Sequence, residues 1–209
     1  MPDLAELTAA VEAGDRKAAI EKTSQAIEAG TAPQAILDAM TEAMGRVGER
    51  FSANEIYVPE MLVSARSMKE AMALLEPLLV KAGIRSAHTA VIGTIKGDLH
   101  DIGKNLVGMM WKGANIEVVD LGVNVTPERF VEAVREHNAG VVGVSALLTT
   151  TMVGMKDVVA AIKAECPGTR VMIGGAPVTR EFAETIGADG YAPDAAAAVE
   201  VANRLFAAA

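Results

Sequence analysis

Asp98 and His100, set between Gly97 and Gly103, are the residues of this chain best suited to chemistry. They stand in the run Gly97-Asp98-Leu99-His100-Asp101-Ile102-Gly103-Lys104-Asn105. A loop histidine can offer one ring nitrogen to a metal. A carboxylate two residues earlier can hold the other nitrogen, which fixes the tautomer and raises ligand basicity. The run follows an apolar, strand-like segment, Thr89 to Ile95, and precedes a helix-like one, Leu106 to Met110. In an open α/β sheet, the loop leaving the carboxyl end of a strand is where ligands bind.

Other chemistry fits the spacing poorly. A P-loop requires glycine, four residues, Gly-Lys and then a hydroxyl. Here five residues separate Gly97 from Gly103, and Asn105 stands in place of the hydroxyl. Gly93, Gly97 and Gly103 also miss the dinucleotide fingerprint. Asp98, His100 and Asp101 could begin a divalent metal site, but a catalytic zinc needs three protein ligands. His88 opens a strand at the end away from the loop, and His137 falls at a helix C-terminus, where positive charge is favoured. One available histidine suits a metal that already carries four ligands.

Two kinds of segment must position this loop. From Leu4 to about Lys81 the apolar residues recur at helical spacing. Gly14-Asp15, Gly30-Thr31-Ala32-Pro33, and Asn54 with Pro59 divide the stretch into four helices, which read as a small bundle. Gly83-Ile84-Arg85-Ser86 is the expected linker. Beyond it, short apolar runs at His88–Ile95, Ile116–Leu121, Val141–Leu147 and Arg170–Ile173 alternate with helical segments, and a fifth unit starts near Gly190-Tyr191. That alternation implies parallel crossovers and a doubly wound sheet. Thr126-Pro127-Glu128 and Thr179-Arg180-Glu181 mark helix starts, and Asp194 to Ala208 reads as a closing amphipathic helix. The expectation is an α/β protein: a four-helix domain over residues 1–86, then a parallel-sheet domain over 87–209.

Composition narrows the partners. A net charge of -8 and 3% aromatic residues argue against nucleic acid. No uncharged apolar run is long enough for a bilayer, and the acidic start, Met1 to Glu6, is unlike a signal peptide. A cytoplasmic location is expected, with no membrane partner. A single cysteine, Cys166, precludes an internal disulfide framework and a cysteine-based zinc site.

Gly97-Asp98-x-His100-x-x-Gly103 resembles the corrinoid-binding signature of cobalamin-dependent methyltransferases. Ser145-Ala146-Leu147 through Thr151, then Gly174-Gly175-Ala176, continue the likeness. Val47-Gly48-Glu49-Arg50-Phe51 through Ser64-Ala65-Arg66 is similar to the helical cap before the cobalamin domain of methionine synthase. The resemblance, which covers nearly the whole chain, is strongest to the small corrinoid proteins that shuttle methyl groups between two methyltransferases.

This resemblance implies a helical cap followed by a flavodoxin-like domain that binds cobalamin. It implies that His100 is the lower axial ligand of cobalt, replacing the cofactor's own benzimidazole. Asp98 would hold the distal imidazole nitrogen, and Thr151, where the family has serine, would complete the relay. Leu99, Asp101 and Ile102 would bind the cofactor. Gly97, Gly103, Gly174 and Gly175 would open the slot for its nucleotide tail, with Ser145, Leu147 and Thr149 lining that slot and Ala195 closing it. Phe51, Val58 and Met61 would cover the methyl-bearing face, with Val58 smaller than the family's leucine. The implied role is a carrier inactive by itself. It would work with a donor-specific methyltransferase, an acceptor methyltransferase using tetrahydrofolate or a thiol, and a reductive activator.

Three other readings are weaker. The cobalamin subunit of a carbon-skeleton mutase shares the loop and sheet but leaves the helical half unexplained. A cobalamin-sensing regulator would need a basic DNA-reading helix. A metal-dependent hydrolase lacks ligands.

Overall fold

The helical spacing from Leu4 to Lys81 resolves into four helices in the computed structural model, which describes residues 4–84 and 86–208. Met1–Asp3 of the acidic start and Arg85 of the expected linker lie outside the described residues. The helices are α1 (Leu4–Glu12), α2 (Arg16–Glu28), α3 (Pro33–Ser52) and α4 (Val58–Lys81). Asp15 caps α2 by accepting from Ala18 N at 3.0 Å, and Pro33 opens α3. Beyond the end of α3, Asn54 adopts a left-handed φ of 58°, a conformation asparagine tolerates better than most residues. Helix α4 continues through Pro77 to Lys81, longer than a proline in its last turns would suggest. Leu7, Ile36, Met40, Met44, Met61 and Leu75 are buried in this unit.

The chain divides into two compact units. One runs up to Ser86 and counts the turn Gly113–Asn115 with it; the other takes Ala87–Lys112 and the chain from Ile116 onward.

The second unit alternates strand and helix. Its elements are β1 (His88–Thr94), α5 (Ile102–Gly113), β2 (Ile116–Asp120), α6 (Pro127–His137), β3 (Val141–Ser145), α7 (Thr149–Met152), α8 (Met155–Glu165), β4 (Arg170–Gly174), α9 (Arg180–Ile186), β5 (Gly190–Ala192) and α10 (Ala195–Ala207). All strand pairs are parallel, in the order β2-β1-β3-β4-β5. That is the flavodoxin-like order, whose ligand crevice lies at the β1/β3 switch point.

The expected caps are present. Thr126 accepts from Arg129 N, Thr179 from Phe182 N, and Asp194 from Ala196 N and Ala197 N. Glycines in the strands let large rings approach closely. A Cβ on Gly143 would lie 2.7 Å from the Trp111 ring, and one on Gly93 would lie 2.8 Å from Phe130. Trp111 and Phe130 are both fully buried, and the Trp111 indole donates to Ala198 O at 3.0 Å.

The apolar run Val141–Leu147 departs from its reading as one strand. Pairing stops at Ser145, because the Leu147 and Leu148 amides turn out of the ladder toward Asp98. The short helix α7 follows this turn. Among the described residues, no helix is long and apolar enough to cross a membrane.

Candidate corrinoid site

Asp98 is fully buried at the carboxyl end of β1, and its two oxygens face different partners. Oδ1 accepts from the His100 backbone N at 3.0 Å and lies 2.7 Å from the ring Nδ1. Oδ2 accepts from the Thr151 hydroxyl at 2.7 Å, from Leu147 N at 2.8 Å and from Leu148 N at 3.3 Å. Burial works to raise the pKa of Asp98. The hydrogen bonds from Thr151, Leu147 and His100 outweigh it and hold the carboxyl well below the usual carboxylate range. Asp98 is therefore an anion with its lone pairs engaged, the condition under which a buried charge is tolerated.

The ionised carboxylate requires the His100 Nδ1 to be the protonated ring nitrogen. Nε2 is then the nitrogen left for a metal. The His100 side chain is 51% exposed although its anchor is buried. Its carbonyl accepts from the Thr94 hydroxyl at 3.0 Å, which ties the loop back to β1. The ligand is aimed outward from a fixed base.

Thr151 sits on α7, beyond β3, so the relay spans the β1/β3 switch point. Its methyl carbon lies 3.7 Å from where a Cβ on Gly97 would stand, an ordinary van der Waals distance.

The other expected residues of this unit lie at the carboxyl ends of four strands. Leu99, Asp101, Ile102 and Gly103 surround His100 in the β1–α5 loop and the start of α5, with Leu99 and Ile102 72% and 77% exposed. Ser145 ends β3, Leu147 is exposed just beyond it, and Thr149 opens α7. Gly174 ends β4, Gly175 lies just beyond it, and Ala195 begins α10. Gly175 has φ +125°, and a Cβ there would fall 1.9 Å from Ala146 O, so no other residue fits. Gly103 differs: nothing lies within 4 Å of its missing Cβ, so internal packing does not demand glycine. Phe51, Val58 and Met61 lie on the helical unit. Phe51 and Val58 flank the α3–α4 turn, half-buried, while Met61 is buried.

His88 stacks on Phe206 with ring centroids 4.2 Å apart, and His137 lies at the end of α6 beside Glu136. Lys104 does not face a phosphate. It is 2% exposed, and its ammonium donates to both Asp120 oxygens at 2.7 and 2.6 Å and to Asn105 Oδ1 at 2.6 Å.

Sequence reading missed this ion pair, the Leu147 and Leu148 amides, and Asn124. The Asn124 side chain accepts from Gly97 N at 2.8 Å. The available signal was an asparagine two residues after Gly122, in a turn where both adopt positive φ.

The donor set decides what fits. Among the described residues, no three His, Cys, Asp or Glu side chains converge as a metal site. An exposed imidazole, with exposed Leu99 and Ile102 in its own loop and exposed Leu147 and Leu148 on the segment whose amides bond Asp98, suits a broad apolar macrocycle that supplies the metal's other ligands. A corrin meets that description. His100 would hold its cobalt, and the glycines at 174 and 175 would admit the tail.

Comparisons with known proteins agree. A B12 binding domain model matches residues 88–200, and a second B12 binding domain model matches residues 4–76. A corrinoid protein of Desulfitobacterium hafniense is 35% identical over 97% of both chains. Dimethylamine corrinoid protein 2 of Methanosarcina acetivorans is 40% identical over 90% of this chain and 88% of its own. Among solved structures, the methanol:cobalamin methyltransferase complex of Methanosarcina barkeri matches with TM-score 0.87 and 29% identity, covering 99% of this chain and 81% of the other. With B12 binding models matched over residues 4–76 and 88–200, and corrinoid proteins 35% and 40% identical over nine-tenths or more of this chain, the chain belongs to the B12-binding corrinoid proteins.

Proposed function

We propose that this protein carries a methyl group on the cobalt of a bound corrinoid, between a donor-specific methyltransferase and an acceptor methyltransferase. The observation that carries the reading is the buried Asp98 carboxylate joining the His100 ring to the Thr151 hydroxyl. The corrinoid, when bound, supplies a cobalt that accepts and releases a methyl group. The chain's own part is to present Nε2 of His100, to keep Nδ1 protonated, and to shelter the anion that does so. Names among the relatives support the methyl-transfer context: one is a dimethylamine corrinoid protein, and one solved neighbour is a methanol:cobalamin methyltransferase complex.

In this role the protein is a carrier and is inactive without its partners, because His100 binds a metal and activates no methyl donor. The acceptor side uses tetrahydrofolate or a thiol, and a reductive activator restores cobalt that has been oxidised. The cytoplasm is the compartment proposed for this exchange.

The test is reconstitution with hydroxocobalamin. The wild type should retain the cofactor with a base-off, imidazole-ligated spectrum, and His100→Ala should lose the imidazole signature. Failure of the folded wild type to retain cobalamin would overturn the reading.

A further inference from the structure

The loop that carries His100 is held from a second direction by the turn between β2 and α6. Residues 121–125 run beside the end of β1. Leu121 N donates to Ile92 O at 2.8 Å, Thr94 N to Gly122 O at 2.9 Å, and Val125 N to Thr94 O at 2.9 Å. Asn124 lies at the point where this turn meets the ligand loop. Its side-chain Oδ1 accepts from Gly97 N at 2.8 Å, and its backbone N donates to Asp98 O at 3.0 Å.

These two bonds grip Gly97 and Asp98, three and two residues before His100. Gly97 stands at φ +84°, a conformation open to glycine, and Asn124 Oδ1 accepts from its amide there. Asn124 is itself left-handed at φ 56°, which asparagine tolerates and which turns its amide toward the loop. Neither group touches the ring of His100. The pair fixes the peptide from which Asp98 and then His100 project.

We infer that Asn124 is a positioning residue for the axial ligand: by clamping Gly97 and Asp98, it sets how firmly His100 is presented to cobalt. The inference rests on the corrinoid reading of the site. Without the side-chain acceptor, the loop gains freedom and the imidazole is lost from the metal more readily, while the Asp98–Thr151 contact remains.

Two variants separate positioning from simple support. Asn124→Gly keeps the left-handed backbone and the bond to Asp98 O but removes the acceptor for Gly97. Asn124→Asp keeps an acceptor at the same place. Each is loaded with cobalamin, reduced to the paramagnetic cob(II)alamin form, and scored by EPR for the fraction showing imidazole nitrogen splitting. The ratio of ligated to unligated cobalt should fall roughly threefold to tenfold in Asn124→Gly, the range a single neutral hydrogen bond is worth. It should stay within about twofold of wild type in Asn124→Asp.

An unchanged ratio in Asn124→Gly, or equal shifts in the two variants, would overturn the inference while leaving the corrinoid reading intact. If wild type retains cobalamin but shows no imidazole splitting, His100 is not the axial ligand and the inference falls with it; if the folded wild type retains no cobalamin, the corrinoid reading itself fails. A measurement on the unaltered apoprotein guards against a variant that does not fold. The Gly97 amide should exchange with solvent at least about tenfold more slowly than an unprotected loop amide, and free exchange would refute the clamp.

Discussion

The Thr151 hydroxyl donates to Asp98 Oδ2 at 2.7 Å, across 53 positions of sequence. The same hydroxyl lies 3.0 Å from Leu148 O, so its oxygen is placed by α7 as well as by the carboxylate. Asp98 thus reads the position of the segment after β3 and passes it to the ligand loop after β1.

Thr151→Val keeps the shape and removes the donor. Cobalamin should still bind, because His100, Leu147 and Leu148 continue to hold Asp98. The ratio of imidazole-ligated to free cobalt should shift by about tenfold, the lower end of the worth of a hydrogen bond to a charged group. Thr151→Ser should restore the wild-type ratio. EPR of the half-reduced cofactor reads both, and an unchanged ratio in the valine variant would remove Thr151 from the relay.

His100→Ala should fold normally, since its ring is half-exposed and no core packing rests on it. Loss of the ring donor to the buried Asp98 carboxylate should cost the apoprotein about 1.5 kcal/mol in thermal unfolding, a few degrees of Tm. The imidazole signature should vanish, and methyl transfer with partner enzymes should fall at least about a hundredfold. Free imidazole added to the variant should recover part of the spectrum.

Two glycines of the site should respond in opposite ways. Gly175→Ala forces a Cβ against Ala146 O at a positive φ, so the fold should lose about 3 kcal/mol or more in urea titration. Gly103 lies in the first turn of α5 with open space beside it. Gly103→Ala should leave the apoprotein as stable or more so, by up to about 1 kcal/mol. Its cobalamin affinity should nevertheless fall about tenfold. A weakened holoprotein on an intact fold would mark Gly103 as a contact with the cofactor.

The Lys104–Asp120 pair should be lopsided. Lys104 is buried, whereas the Asp120 side chain is 40% exposed. Lys104→Met removes the buried charge and leaves a partly hydrated carboxylate, at a cost of about 1 kcal/mol. Asp120→Ala strands a buried ammonium and should cost about 3 kcal/mol. Chemical denaturation of the two apoproteins compares them, and equal losses would show the pair to be solvated throughout.

Much of this protein was legible along the chain. Helical spacing up to Lys81, strand–helix alternation after Ala87, and capping threonines at 126 and 179 are local signals acting over one or two turns. Asp98 and His100, two residues apart, could be read as anchor and ligand because one tight loop brings both to the same nitrogen-bearing ring. Tertiary structure alone decided what stabilises that anchor. The amides of Leu147 and Leu148, the hydroxyl of Thr151 and the side chain of Asn124 reach the loop because β3 and β2 flank β1 in a parallel sheet. Parallel neighbours are joined by crossovers, so their loops meet with no trace in local spacing. For the same reason the apolar run through Leu147 passed for continuous strand. The amides of Leu147 and of Leu148 after it leave the ladder for a buried carboxylate that lies close only in the folded sheet.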